Sequence, residues 1–371
     1  MAAPAAIGSA DSTGTWWLYV LECRGGVLYT GIAKDVDARF AAHLKGTGAI
    51  FTRLNRPVRI LGKATLATKG EALRAEYAFK QVSRADKLQW CATGLERFVM
   101  AGPLLTLKVH ATLRAAARAG ATTVECSLDL ERSTTTVEVG DAGWRWRGRR
   151  FPYLETCKDR TIYYWAGESF QPVARFTTSL VKLVPTQWGA PTFEIDGIKM
   201  LPTAHVSPYA DAERKVGLIH PRGKVILDTC GGLGYFAAWC LRGQAKQVHS
   251  YEKNADVIWL RSLNPWSPET GGGLTLTHGD IAEQIGMLPG ASVDAILHDP
   301  PRFGTAGELY SQAFYDQLAR VLKRSGKLFH YTGAPNKLTS GRDVPEEVAK
   351  RLRRAGFAAR LSGDGVLAVK K

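Results

Sequence analysis

The sequence predicts an α/β protein in two parts: a small α/β unit near its start and, towards its end, a mostly parallel sheet covered by helices, with a β-rich stretch between them. Two patterns carry the prediction. Residues 15–95 read as β-β-α-β-α, and from His220 onward strand-like and helix-like runs alternate behind glycine turns, the pattern of a doubly wound sheet. The length of 371 residues agrees, since it exceeds what one hydrophobic core normally organises.

Taken in order, residues 1–14 are small and polar without periodicity and are expected to form a mobile tail. The runs WWLYVLE and VLYTGIA, joined at Arg24-Gly25-Gly26, predict two strands and a hairpin. A helix follows in VDARFAAHL, where Val36, Phe40 and Leu44 recur every four residues and leave Arg39 and His43 together on an adjacent face. PVRILGKATL predicts a third strand, and EALRAEYAFKQVSRADKLQW one long helix ending at Trp90. Gly and Pro in CATGLERFVMAGP break the periodicity and set a boundary near residue 95. Residues 96–204 carry short β-prone pieces spaced by turns, a β-rich subdomain expected to lead into residues 205–371. There KVILD, QVHSYE, LTLTHGD, VDAILHD and GKLFHYT predict strands, with YFAAWCL, ADVIWLRSL, YSQAFYDQLARVLK and EVAKRLRRA as helices.

Composition narrows the function classes. Apolar residues make up 45% and charged residues 22%, a globular balance that excludes a chain disordered throughout. No apolar run approaches the roughly 18–20 residues of a membrane helix, and the Ala-rich start lacks a basic and then apolar leader. A soluble, cytoplasmic protein with no membrane partner is therefore expected. Cys23, Cys91, Cys126, Cys157, Cys230 and Cys240 are scattered without CxxC spacing, which argues against a zinc ribbon and for reduced thiols. Lys and Arg number 49 against 34 Asp and Glu, a formal charge of +15, so nucleic acid, RNA or DNA, is the favoured partner.

Five residues in the first part suit one chemistry. Tyr29 in YTG follows Tyr19 in LYV by ten residues, Arg39 and His43 share a helix, and Glu76 lies on a later one. Glu76 is expected on a stripe with Leu73, Tyr77 and Lys80 at the edge of the core, where a carboxylate is costly unless it binds something. Phosphodiester cleavage needs a water made more basic, a cation over the developing phosphorane charge and a divalent metal. The same tyrosines would also serve as plain sheet residues, and Glu76 as an i,i+4 partner of Lys80. Residues 16–90 resemble the GIY-YIG nuclease family, nearest its small stand-alone bacterial branch. The likeness rests on LYTGI (28–32), DVxxRxxxH (35–43), GAxxTR (48–53) and ALRxEYxxK (72–80), with LYV standing in for GIY. It implies that Tyr19 or Tyr29 activates water, that Arg39 and His43 hold the scissile phosphate, and that Glu76 ligates Mg²⁺ or Mn²⁺.

In the last part, VILDTCGGLGYFAAW reads as strand, acidic residue, glycine turn and helix start, which lets the backbone approach a cofactor at the C-terminal edge of a sheet. Alone it suits a dinucleotide or S-adenosylmethionine. Glu252 ends the next strand, where a carboxylate can accept both ribose hydroxyls; Asp280 follows the third strand at the level of an adenine; Asp299-Pro300-Pro301-Arg302 follows the fourth. Together these resemble the class I S-adenosylmethionine-dependent methyltransferases, with a Rossmann-like domain, over residues 205–371. They read most like a mostly archaeal family of that class carrying LDTCGGLGY, EKN, NPWS and HDPPRFxxAGELYS. The resemblance implies a donor site of Asp228, Cys230, Gly231, Gly232, Gly234, Glu252 and Asp280, with Cys230 where a first loop glycine is usual. The prolines would fix a carboxylate and a carbonyl to accept hydrogen bonds from a planar amine and aim its nitrogen at the donor. Asp299, Pro300, Pro301 and Arg302 are thus the candidate catalytic set. In the amino-methyltransferase motif an aromatic residue comes next; here Arg302 precedes Phe303, and an arginine can stack on a base or pair with a phosphate.

The expectation is a bifunctional nucleic-acid enzyme, a Mg²⁺-dependent endonuclease fused to a methyltransferase for an amino nitrogen of a nucleobase in RNA or DNA. Two alternatives stay open: the nuclease fold as a docking module only, or a small-molecule transferase acting on a polyamine-type amine. The run GWRWRGRR (143–150) alternates aromatic and basic residues, either a face that stacks bases beside one that neutralises phosphates, or a half-buried edge strand with a basic solvated side.

Overall fold

The computed structural model describes residues 15–66, 69–80, 84–93, 95, 102–166, 168–271, 273–301, 306–333 and 343–371. The expected tail and the expectations placed on Arg302 and Phe303 lie outside the described residues. The chain divides into two compact units, Met1–Pro103 with Ala111–Cys126 and Thr136–Leu154, and Leu104–His110 with Ser127–Thr135 and Glu155–Lys371. The β-rich stretch is therefore shared out between the units.

The first unit opens with β1 (Trp16–Cys23), β2 (Leu28–Ala33), α1 (Val36–Leu44), α2 (Ile50–Leu54), β3 (Pro57–Leu66), α3 (Lys69–Lys80) and α4 (Arg84–Thr93). The strands form an antiparallel sheet in the order β2-β1-β3. Central β1 is buried on both faces: Leu18 and Val20 pack with Ala64, Ala72 and Phe79, while Tyr19, Leu21 and Cys23 pack with Ala33 and Val36. Tyr19 is thus a core residue. Helix α1 is rotated from the expected face, burying Val36 and His43 and leaving Leu44 exposed, because the His43 ring finds hydrogen-bond partners inside. Helix α3 likewise buries Ala72 and Phe79, while Leu73 is 48% exposed, so the expected Leu73 stripe is not its core face. The expected long helix falls on α3 and α4, and residues 81–83 between them lie outside the described residues.

Helix α5 (Leu107–Arg118) interrupts the stretch that reads as purely β. After β4 (Leu104–Leu105) and α5 come β5 (Thr123–Cys126), β6 (Thr135–Gly140), β7 (Gly143–Trp146) and β8 (Arg149–Phe151), a sheet in that order. Arg147 and Gly148 have φ of 48° and 72° and form the β7–β8 turn. Trp144 stacks on Phe151 in the core, and Arg147 folds back over the Trp146 ring at 4.2 Å instead of facing away from it on the strand.

In the second unit β9 (Tyr163–Trp165) pairs with β10 (Phe170–Pro172) and β4. Strands β11 (Ala174–Phe176), β12 (Leu180–Val184), β13 (Thr192–Ile195) and β14 (Ile198–Lys199) form a meander. The alternation follows: α6 (Pro208–Ile219), β15 (Val225–Asp228), α7 (Tyr235–Arg242), β16 (Gln247–Glu252), α8 (Ala255–Leu263), β17 (Leu274–His278), α9 (Ile281–Gln284), β18 (Val293–His298), α10 (Gln312–Val321), β19 (Leu322–Tyr331), α11 (Val344–Arg354), β20 (Phe357–Ser362) and β21 (Gly365–Lys370). The sheet order is β17-β16-β15-β18-β19-β21-β20, parallel except where β21 enters. This is the expected Rossmann-like class. One face packs on α6, α7 and α8 through Val216, Phe236 and Leu260, the other on α10 and α11 through Phe314, Leu318 and Leu352. The chain steps outward from β15 to β17 and then returns to β18 on the other side of β15, so the C-terminal ends of β15 and β18 flank the topological switch point. Among the described residues no helix is long and apolar enough to cross a membrane.

Two candidate active sites

Strand pairing sets Tyr19 opposite Gly31 and Tyr29 opposite Leu21, so the two tyrosines sit diagonally on one face with ring centroids 6.2 Å apart. A Cβ at Gly31 would lie 2.7 Å from the Tyr19 hydroxyl and 3.0 Å from a Tyr29 ring carbon, which explains the glycine of YTG. His43 reaches the pair from α1: Nε2 is 2.9 Å from the Tyr19 hydroxyl, and Nδ1 is 2.6 Å from Thr52 Oγ1. Thr52 in turn donates to the Ala49 carbonyl at 2.8 Å. A Cβ at Gly48 would overlap the His43 ring, so the GAxxTR segment is the seat of this imidazole.

Arg39, exposed one turn earlier, and Tyr29 are the cationic and phenolic neighbours of Tyr19. Burial raises the Tyr19 pKa above the usual tyrosine value, with Tyr29 adding and Arg39 opposing. Burial, followed by Arg39, lowers that of His43. The structure therefore gathers Tyr19, Tyr29, Arg39 and His43. Glu76 is 18% exposed and bonded to Lys80 at 2.9 Å, the i,i+4 arrangement. No group of three or more His, Cys, Asp or Glu among the described residues could hold a metal. A lone carboxylate still fits Mg²⁺, which keeps several waters and shares substrate phosphates.

At the switch point Asp228 is fully buried, and its carboxylate accepts from Ser250 Oγ at 2.8 Å through Oδ2 while Oδ1 has no partner. Arg261 comes from α8, is 3% exposed and leaves Nη2 without a partner. A Cβ at Gly234 would lie 2.5 Å from Arg261 Cζ, and one at Gly231 3.2 Å from Nη1. Gly234 is thus required by a guanidinium passing beneath the loop and Gly231 chiefly by Ser250 Oγ, which a Cβ there would overlap, and not only by a cofactor above it. Gly232 is the open one, with Phe193 no nearer than 3.6 Å and its N–H donating to Glu252 at 2.9 Å. Glu252 also accepts from the Asn254 N–H, and burial raises its pKa against those two bonds and Arg261. Asp280 caps α9 through the Ala282 N–H and lies 3.4 Å from Lys253. Burial raises Asp228 to about 6 and pushes the Cys230 thiol well above its ordinary value, which makes it a poor nucleophile. An unpartnered buried carboxylate oxygen below the loop and Glu252 at the strand end fit S-adenosylmethionine, whose ammonium and ribose hydroxyls are donors.

Asp299 follows β18 and makes no hydrogen bond to a described residue. Burial raises it to about 6, with Lys215 opposing and Asp211 and Asp364 adding. Sequence reasoning missed these neighbours. The buried Lys215 ammonium is 2.7 Å from Asp211 and 3.6 Å from the Tyr331 ring centroid, and Arg214 bridges Asp211 and Asp364. Tyr310 donates to the Pro301 carbonyl at 3.0 Å. The only hint in the sequence was Asp211–Lys215 at i,i+4, which reads as an ordinary surface pair.

Residues 15–89 match the GIY-YIG catalytic domain. A UPF0213 protein of Cupriavidus pinatubonensis is 52% identical over 77 residues, 21% of this chain and 86% of that one. Another, from Cupriavidus necator, is 51% identical over 84 residues, 23% of this chain and 89% of its own. An uncharacterized protein of Methanocaldococcus jannaschii is 43% identical over 193 residues, 52% of this chain and 66% of the relative, so the chain spans just under two thirds of that protein. That stretch is more than twice the length of the GIY-YIG match, so most of it lies outside residues 15–89. Among solved structures, a spermidine synthase from Thermotoga maritima has 16% identity and a TM-score of 0.42 over 53% of this chain and 71% of that one. An S-adenosylmethionine-dependent methyltransferase from Archaeoglobus fulgidus has 14% identity and a TM-score of 0.34 over 44% and 92%.

Proposed function

We propose that this chain, which belongs to the UPF0213 family through its GIY-YIG domain, is a two-site nucleic-acid enzyme. Residues 15–95 are a Mg²⁺- or Mn²⁺-dependent endonuclease, and residues 205–371, entered through the β-rich stretch 96–204, are an S-adenosylmethionine-dependent methyltransferase for an amino nitrogen of a nucleobase. One observation carries the second half: Asp228, Glu252 and Asp299 come from three adjacent strand ends at the switch point.

In the nuclease, the burial of Tyr19 and partial exposure of Tyr29 support giving the water to Tyr29. Exposed Arg39 stabilises the phosphorane charge, while both His43 nitrogens are engaged inside, so His43 orients rather than holds the phosphate. Mg²⁺, held by Glu76 in place of its bond to Lys80, would draw charge from the phosphate oxygens.

In the methyltransferase, the bound donor supplies an electrophilic methyl group. Glu252 receives its ribose, Asp228 its ammonium side and Asp280 its adenine. Because Tyr310 occupies the Pro301 carbonyl, the carbonyl of Pro300 and the Asp299 carboxylate are left to accept from the acceptor amine. A carboxyl near 6 can take the proton the nitrogen sheds. Arg302 is assigned to the bound strand, on its base or phosphate.

A second reading, transfer to a small polycationic amine, is favoured by the Asp299 carboxylate, which no hydrogen bond from a described residue occupies, while Asp211 and Asp364 beside it are already paired with Arg214 and Lys215. Incubation with labelled methyl donor and, separately, RNA, DNA and polyamines decides between them: label in nucleobase amines is expected, and label confined to polyamines sinks the first reading.

A further inference from the structure

The GAxxTR segment is part of the resemblance but has no role in it. Its short helix, α2, is inverted for a soluble protein: Ile50, Phe51 and Leu54 face outward while the one polar residue without charge, Thr52, is 1% exposed. A hydroxyl is not buried without a partner, and Thr52 has two. It donates to the Ala49 carbonyl, so its remaining lone pairs can only accept, and the atom in front of them is His43 Nδ1 at 2.6 Å. That nitrogen must carry the proton. The other ring nitrogen, Nε2, is then the acceptor, and the 2.9 Å contact to Tyr19 is a bond that Tyr19 donates. With its only proton committed inward, the Tyr19 oxygen keeps its lone pairs for a donor, and the neighbouring Arg39 guanidinium is the group that favours its anion.

We propose that Thr52 is a positioning residue of the nuclease site: its hydroxyl locks the His43 tautomer, which makes Tyr19 a donor to Nε2 and leaves the Tyr19 oxygen to accept from Arg39 and steady that cation over the phosphate. The inference rests on the nuclease reading above. Gly48 belongs to the same device, since any side chain there would displace the ring.

The test uses the full chain, labelled with ¹⁵N-histidine, with the His43 signals assigned through His43→Gln. Wild type is expected to show Nδ1 protonated and Nε2 bare. Thr52→Val, of equal shape, should shift the ring towards the opposite tautomer and slow Mg²⁺-dependent cutting of labelled DNA and RNA oligonucleotides roughly 10- to 100-fold, as for partners that orient a functional imidazole. Thr52→Ser should restore both, which a packing defect would not. A protonated Nε2 in wild type, or an unchanged tautomer in a folded Thr52→Val chain, overturns the proposal. Failure of wild type to cut any oligonucleotide overturns the nuclease reading instead, and the tautomer spectra distinguish the two failures.

Discussion

The two sites treat buried polarity in opposite ways. Around His43 the polar groups satisfy one another in a closed chain, from Tyr19 through the imidazole and Thr52 to the Ala49 carbonyl. Around Asp228 the set is open: Asp228 Oδ1 and Arg261 Nη2 lack partners, and Asp299 has no hydrogen bond to a described residue. Each unmade bond on a buried group costs about 1–3 kcal/mol, more where the group is charged. A closed set is finished before its substrate arrives, so its variants should change rate. An open set is completed by a ligand, so its variants should change binding and stability as well.

The largest effect expected is at Arg39, the exposed cation of the closed site. Arg39→Ala should lower cleavage by about 10²–10³-fold, the usual loss when one donor to a developing oxyanion is removed, while the melting temperature stays within a degree or two of wild type, as expected for a surface substitution. Unchanged cutting by this variant would remove the phosphate role. Next comes Asp299→Ala, expected to lower methyl transfer by on the order of 100-fold, the scale of lost general base action. Donor affinity should hardly change, because Asp299 is assigned to the acceptor. A parallel loss of donor binding would make Asp299 part of the open donor set and break the distinction drawn above.

How far the sequence anticipated these sites follows the range of the contacts involved. Tyr19, Tyr29, Arg39 and His43 were legible because hairpin pairing and helical spacing are local rules, and both sheets formed where alternation placed them. The role of Thr52 was not, since a polar residue pointing inward from an outwardly apolar turn contradicts the pattern that marks a core face. Arg261 was hidden in the same way: in ADVIWLRSL it reads as a solvated helix residue, and only the pairing of β15 with β16 brings α8 beneath the glycine loop. Lys215, Asp211 and Asp364 meet across a large sequence separation, which spacing cannot reveal. Glu76 shows the reverse failure, for its i,i+4 bond to Lys80 is the arrangement spacing allows without any function.

A middle-sized effect tests completion by ligand. S-adenosylmethionine at a hundred times its Kd should stabilise the fold that binds it by about 2.7 kcal/mol through mass action, and Glu252→Ala should abolish most of the shift by removing the strand-end acceptor. Differential scanning calorimetry on the full chain reads this directly. A donor that shifts wild type and Glu252→Ala equally would mean that the ribose is held elsewhere.

The smallest effect uses pH. Burial holds His298 at about 4 and His330 well below its usual range. Unfolded, both titrate near 6.5, so as pH falls from about 6.5 to about 4 the unfolded chain takes up protons that the folded chain refuses, and stability falls. Asp228 and Asp299, raised to about 6, carry the opposite sign. Between about 6 and the unfolded carboxylate value near 3.9 the folded chain binds protons first, and stability rises. The rise of about two units on Asp228 and on Asp299 is worth roughly 3 kcal/mol each and is opposite in sign to the lowering on the histidines, so the two pairs oppose one another in the free chain, and its melting temperature should change less from pH 6.5 to 4.5 than either pair alone would make it. Donor binding removes one of the offsets. A cationic ligand at Asp228 requires the ionised carboxylate, so donor affinity should weaken as pH drops below about 6, by up to tenfold per unit once Asp228 is mostly protonated. The melting-temperature gap between free and donor-saturated protein should accordingly narrow from pH 7 to pH 5, while Asp228→Asn should show a smaller gap that narrows less, since Glu252, also raised by burial, still titrates there. A wild-type gap that does not change with pH would mean that Asp228 never meets the donor, and that its unpartnered oxygen belongs with Arg261 to the support of the loop alone.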